Sequence, residues 1–80
     1  MPLSEVTQLK SALLTKVQND IKKDVNRLAK LDGRIDAYRI RNEDVPESLM
    51  VAREALLSRL SGLWSRQHAL MQQLLASLRV

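Results

Sequence analysis

Apolar residues recur every three or four positions through the first half of the chain, which is the period of an α-helix. Within this pattern, leucine and isoleucine also repeat at the heptad spacing typical of coiled-coil packing. The predicted seam of this first helix consists of Leu14, Val17, Ile21, Leu28, Leu31 and Ile35. The pattern predicts a helix over residues 4–41, with Ser4 as its N-cap and a flexible point or kink at Asp32-Gly33.

Turn-forming residues interrupt the helical period near the middle of the chain, where the sequence reads Asn-Glu-Asp-Val-Pro. Pro46 fits the first turn of a new helix because its missing N–H is not needed there. We therefore predict a loop over residues 42–45 and a second helix over 46–79, capped by Asp44 or Val45. The predicted fold is all-α: a single-domain antiparallel two-helix hairpin with coiled-coil-like packing, assembling into a helical bundle with itself or with a partner.

The second helix carries more apolar surface than one neighbouring helix covers. Its predicted seam toward the first helix consists of Leu49, Leu56, Leu60, Leu63, Leu70 and Leu74. A second apolar line, here called the apolar flank, consists of Met50, Leu57, Trp64, Met71, Leu75 and Leu78. Because the flank has no partner within the hairpin, we predict that it is partly exposed and binds a protein. Ordinary core filling is the alternative interpretation for Trp64 and the methionines.

Small residues form a further line at heptad spacing in the second helix, consisting of Ser48, Ala55, Gly62, Ala69 and Ala76. This line lies away from the leucine seam. Helix-compatible surface filling is therefore the ordinary interpretation. The alternative interpretation is that these small residues let another backbone approach closely, and Gly62 is the residue that supports it.

Composition restricts the chemistry open to the chain. It has 80 residues, no Cys and a single His, which excludes disulfides, zinc fingers, Cys nucleophiles and His-based metal clusters. We predict no enzymatic activity, no cofactor and no metal. A core this small rarely supplies more than roughly 3–5 kcal/mol, so we also expect a protein partner. No secretory signal or transmembrane segment is evident, and we expect a cytoplasmic location.

Three polar residues, Asp24, Arg53 and His68, lie at or beside the predicted seams. Pairing across the loop gives Asp24 three predicted neighbours: Trp64, Gln67 and His68. It gives Arg53 the predicted neighbours Asp32, Ile35 and Asp36. An Asp24–His68 pair suits a pH switch or an acid–base couple, whereas a structural hydrogen bond or a solvated edge is the interpretation we favour. For Arg53 we predict a salt bridge that fixes the register of the helices.

Nucleic acid binding through the first helix is the alternative function. Its lysines and arginines suit backbone phosphates, and the whole chain carries a net charge of +4. However, acidic residues lie between these cations and would repel phosphates. The chain also has only two aromatic residues, Tyr38 and Trp64, on which bases could stack. A mixed-charge solvated face is therefore favoured over a phosphate-binding one.

The layout resembles the small all-helical co-chaperones of bacterial type III secretion systems, which help to keep a needle subunit soluble. The resemblance rests on the short chain, the absence of Cys, the helix junction near 42–46 and an apolar second helix, marked by Leu49, Leu56, Leu60, Leu63, Trp64 and Leu70. It implies a helical-repeat chaperone as partner and a secreted helical subunit as client. We predict a chaperone or adaptor that covers a partner's amphipathic helix, with a self-assembling structural bundle as a further alternative.

Overall fold

In a computed structural model that describes residues 5–78, the chain forms two long antiparallel helices. Helix α1 spans Glu5–Ile40 and helix α2 spans Glu47–Leu78, with lengths of 36 and 32 residues. The pair packs along its full length into a rod of 61 × 16 × 15 Å. Within the described range no strand is present. The predicted all-α helical hairpin is therefore confirmed.

Helix α1 ends in a left-handed turn at Asn42. The amide of Glu43 donates to the carbonyl of Tyr38 (2.9 Å), and the amide of Asn42 donates to the carbonyl of Arg39 (3.0 Å). These two bonds form a Schellman motif, which requires a residue with positive φ just beyond the helix. Asn42 adopts a φ of 60°, a conformation that asparagine tolerates better than most residues. The turn at Asn42 thus ends α1 at the polar junction that the sequence predicts.

Helix α2 begins one residue later than predicted. The carbonyl of Pro46 accepts hydrogen bonds from the amides of Leu49 (3.1 Å) and Met50 (3.4 Å). Pro46 is therefore the residue that precedes the first helical turn, and the prediction that Asp44 or Val45 caps the helix is wrong. The prediction failed because Pro46 was assigned to the first turn, whereas its own carbonyl is the first acceptor of the helix.

The remaining predicted boundaries differ little from the structure. Arg41 belongs to the turn rather than to α1, whereas Ser4 and Arg79 lie outside the described residues. Helix α1 continues through Gly33 without a break. The surrounding helical turns therefore outweigh the turn preference of Asp32-Gly33, a local penalty of about 1 kcal/mol.

The core is a narrow seam between the two helices. Its fully buried apolar residues are Val17, Ile35, Leu49, Leu60 and Leu70. The other predicted seam residues are half-buried: Leu14, Ile21, Leu28, Leu31, Leu56, Leu63 and Leu74. Two polar residues, Thr7 and Asp24, are also buried. The sequence pattern placed Asp24 at the seam, whereas burial of Thr7 was not predicted. A two-helix layer leaves most side chains at its edges, which explains why so few are fully covered.

Two ion pairs between the helices define their register. Arg53 Nε lies 2.8 Å from Asp32 Oδ1, so the predicted salt bridge of Arg53 is confirmed. Arg59 Nε lies 2.8 Å from Asp24 Oδ2. The predicted pairing placed Asp24 beside Trp64, Gln67 and His68, whereas its partner in α2 is Arg59, about one helical turn nearer the loop. A pairing that is symmetric about the loop is therefore wrong for the alignment of the two helices.

Candidate functional site

A buried carboxylate lies in the middle of the helix seam. Asp24 is 0% exposed, although it belongs to a layer only two helices thick. Its Oδ1 accepts a hydrogen bond from Nη1 of Arg27 (2.9 Å), one turn further along α1. Its Oδ2 lies against Nε of Arg59 without an aligned hydrogen bond. Because a buried charge is costly unless it is paired, these two arginines make the position tolerable.

The two arginines reach Asp24 from the surface. Arg27 and Arg59 remain 60% and 59% exposed, so their guanidinium groups cover the carboxylate and still face solvent. Both are drawn to the same acidic group, and they therefore lie close together at the edge of the helix interface. His68, by contrast, is exposed. The hypothesis of an Asp24–His68 acid–base couple or pH switch is therefore wrong.

The apolar flank of α2 is largely open to solvent. Trp64 is 47% exposed, and Leu78 is 65% exposed. Met71 and Leu75 are exposed as well, whereas Met50 and Leu57 are half-buried at the edge of the seam. Val25 of α1 is also an exposed apolar residue. Large apolar side chains in this state retain an unfavourable hydration free energy that a bound protein would remove.

The open end of the hairpin, where α1 begins and α2 ends, is also rich in exposed apolar side chains. Val6 and Leu9 of α1 are exposed at this end, as are Leu75 and Leu78 of α2. After Glu54 the sequence contains no further acidic residue. The Arg41–Glu43 and Arg53–Asp32 ion pairs lie toward the loop end. Ile40 and Val51 are exposed there, so exposed apolar side chains occur at both ends of the rod.

The flank and the basic residues lie on opposite faces of the hairpin. Four flank residues at heptad spacing directly follow a seam leucine, as Leu57 follows Leu56, and Leu78 continues their heptad line, whereas Arg59 directly precedes Leu60. On a helix with heptad packing, positions just after and just before the seam lie on opposite edges. Leu75, which follows Leu74, belongs to the flank edge by the same rule.

The same geometry gathers cations from both helices on the second face. These residues, here called the basic face, are Lys16, Lys23, Arg27, Lys30, Arg34, Arg59 and Arg66. Among the residues of the two described helices, Asp20 is the one acidic residue on the basic face. The line of small residues in α2 lies on this face as well. In the linear sequence the charges of α1 are mixed, because residues of different helix faces alternate along the chain.

Within residues 5–78, no group of three or more His, Cys, Asp or Glu side chains is arranged to hold a metal ion. Neither described helix contains a stretch apolar and long enough to cross a membrane. The features that the structure does provide are surfaces: an apolar flank, a basic face and a buried ion cluster that joins the helices. No family model, curated protein or solved structure matches this chain.

Proposed function

We propose that the chain is a non-enzymatic protein-binding module whose apolar flank covers an amphipathic helix of a partner protein. The observation that carries this proposal is the exposure of Trp64, Met71 and Leu75 along one edge of α2. Tryptophan and methionine supply much contact area and adapt to irregular surfaces, which suits residues at the centre of an interface. Affinity then comes mainly from burial of apolar surface.

The shape of the flank favours a helix as the bound element. Met50, Leu57, Trp64, Met71 and Leu78 follow one another at heptad spacing, so they form a line parallel to the hairpin axis. From Met50 to Leu78 the line is roughly 40 Å long at the rise of an α-helix. A third helix laid along it would bury side chains from both neighbours and would complete a helical bundle.

A heterologous partner is favoured over a second copy of the chain. The net charge of +4 makes two copies repel each other, whereas it attracts an acidic protein. The fully buried apolar core, with Leu60 at its centre, is also small for a chain of this length. A chaperone or adaptor role fits these properties, because the hairpin gains stability only when it covers another helix. A co-chaperone role in type III secretion belongs to the same proposal.

The test uses Trp64 as a built-in reporter. The probe is a neutral helical peptide of about 20 residues with leucine at heptad positions and glutamine elsewhere. Trp64 is the single tryptophan, so its emission reports on the flank alone. We expect the peptide to shift that emission to the blue, and we expect the double variant Leu57→Glu/Met71→Glu to abolish the shift, because buried charge opposes docking.

The matched control changes two exposed apolar residues that lie outside the flank. Ile40→Glu/Val51→Glu adds the same charge, and both positions are exposed, so we expect the wild-type response. Circular dichroism on all three proteins checks that helicity is retained. The proposal is overturned if the wild-type emission does not respond to the peptide, or if both double variants lose the response equally. Concentration-dependent dimers lost only in the flank variant would identify a second copy, not a different protein, as the occupant.

A further inference from the structure

A shallow groove lies between the two helices on the basic face, remote from the apolar flank. It has a volume of about 550 Å³. Its floor is apolar and its rim is cationic. The floor consists of Leu31, Ala52, Ala55 and Leu56, and the rim consists of Arg27, Lys30, Arg34 and Arg59. This combination differs from a solvated charged surface, where no apolar floor is present.

The charge of the groove is incompletely balanced. Asp24 is shared by Arg27 and Arg59, so one carboxylate faces two guanidinium groups. Lys30 and Arg34 form no ion pair with any of residues 5–78. Each guanidinium has five N–H donors, of which Asp24 uses only a part. The groove therefore has donors and positive charge available for further anions, and Asp24 holds two of the donors in place.

The apolar floor restricts what kind of anion fits. A bare phosphate or a nucleic acid backbone would pair with the rim but would leave Leu31 and Leu56 uncovered. No aromatic side chain lines the groove on which a base could stack. A ligand with leucine-type side chains between acidic ones satisfies both floor and rim. An amphipathic helix has this pattern, since its apolar stripe is bordered by polar positions.

The geometry of the floor also suits a helix. Two helices side by side leave a lengthwise groove into which a third helix packs. Ala52 and Ala55 give that helix a low surface to approach. Farther along the same face, a Cβ built on Gly62 would meet nothing within 4 Å, so the small surface continues beyond the groove. Arg66 continues the positive charge in the same direction.

We infer that this groove is a second docking surface, which binds an acidic amphipathic helix of a partner protein. Apolar side chains of that helix rest on Leu31 and Leu56, and its carboxylates pair with Lys30, Arg34 and the Arg27–Arg59 pair. The surface is independent of the apolar flank, since the two lie on opposite faces. With both occupied, the hairpin joins two helices, one on each side.

The experiment measures fluorescence anisotropy of a dye-labelled helical peptide of about 20 residues, with leucine at heptad positions and glutamate beside them. We expect Lys30→Glu/Arg34→Glu to weaken its binding by at least about tenfold, because two attractive rim charges become repulsive. Both side chains are exposed and unpaired, so the fold is retained. The control Lys22→Glu/Arg39→Glu makes the same charge change outside the groove, and we expect wild-type affinity.

Three results would overturn the inference. The first is equal loss of affinity in the groove and control variants, which would indicate unspecific attraction to a cationic protein. The second is equal or tighter binding of a labelled single- or double-stranded DNA, which would make nucleic acid the ligand. The third is a blue shift of Trp64 emission on addition of the glutamate peptide, which would place it on the flank. Because these results leave the neutral-peptide assay unchanged, they are distinguishable from failure of the flank proposal.

Discussion

Asp24 is the residue that conflicts most with its surroundings. It occupies a heptad position where the neighbouring seam residues Ile21 and Leu28 are apolar, and it is completely buried. A buried ion pair seldom stabilises a protein more than a well-packed apolar residue would, because the desolvation cost offsets the attraction. Its benefit is specificity: a register that moved Asp24 away from Arg59 would leave the carboxylate unpaired. We infer that Asp24 fixes the alignment of α1 and α2.

Substitutions in this cluster should have opposite effects on stability. We expect Asp24→Leu to raise the free energy of unfolding by about 1 to 4 kcal/mol, because it removes the desolvation cost and extends the apolar seam. We expect Arg27→Ala/Arg59→Ala to lower it by roughly 3 kcal/mol, because a buried carboxylate is left without its partners. Urea unfolding followed by circular dichroism measures both. Destabilisation by Asp24→Leu would show that the cluster itself holds the hairpin together.

At the scale of the helices, the sequence predicted the architecture but not its alignment. The period of the apolar residues, the heptad seam and the polar junction predicted two helices and their approximate ends. The pairing of Arg53 with Asp32 was also predictable, whereas that of Asp24 with Arg59 was not. The apolar pattern predicts which face of each helix is buried, but the alignment of the helices along each other depends on the connection, which includes the Schellman turn at Asn42.

The same scale explains why the basic face was missed. Lysines, arginines and acids alternate along α1, so the linear sequence indicates a mixed-charge surface. In the folded hairpin, the cations on one edge of the seam are separated from most of the acidic residues. Lys30 and Arg34 of α1 line the same groove as Arg59 of α2. The apolar flank needed less information, because its excess over one seam is visible within α2 alone. Its exposure follows from the absence of a third helix in the hairpin.

Gly33 offers a test of how regular α1 is. The helix continues through this position, its φ is negative, and a Cβ built there meets nothing within 4 Å. We therefore expect Gly33→Ala to raise the free energy of unfolding by about 1 kcal/mol, as in an exposed helix interior. Ala29→Gly, at another exposed position of α1, should lower it by a similar amount. A loss of stability in Gly33→Ala, measured by thermal melting, would indicate that the helix needs a bend there.

The whole molecule is a thin rod with two different faces. One face carries the apolar flank with Trp64 at its centre, and the other carries the basic groove around Lys30 and Arg34. Between them lies a seam with few fully buried apolar residues. Such a layer is half of a helical bundle, since each face has the pattern that another helix would cover. The proposed role as a protein-binding module follows from this incompleteness.

The most direct measurement of that incompleteness is unfolding of the purified chain, alone and with the neutral leucine peptide. We predict a free energy of unfolding below roughly 5 kcal/mol for the chain alone. We also expect the unfolding midpoint to rise with peptide concentration, because a ligand that binds only the folded state stabilises it. A hairpin of clearly higher stability, whose midpoint does not move when the peptide is added, would be complete in itself and would contradict the proposed role as a protein-binding module.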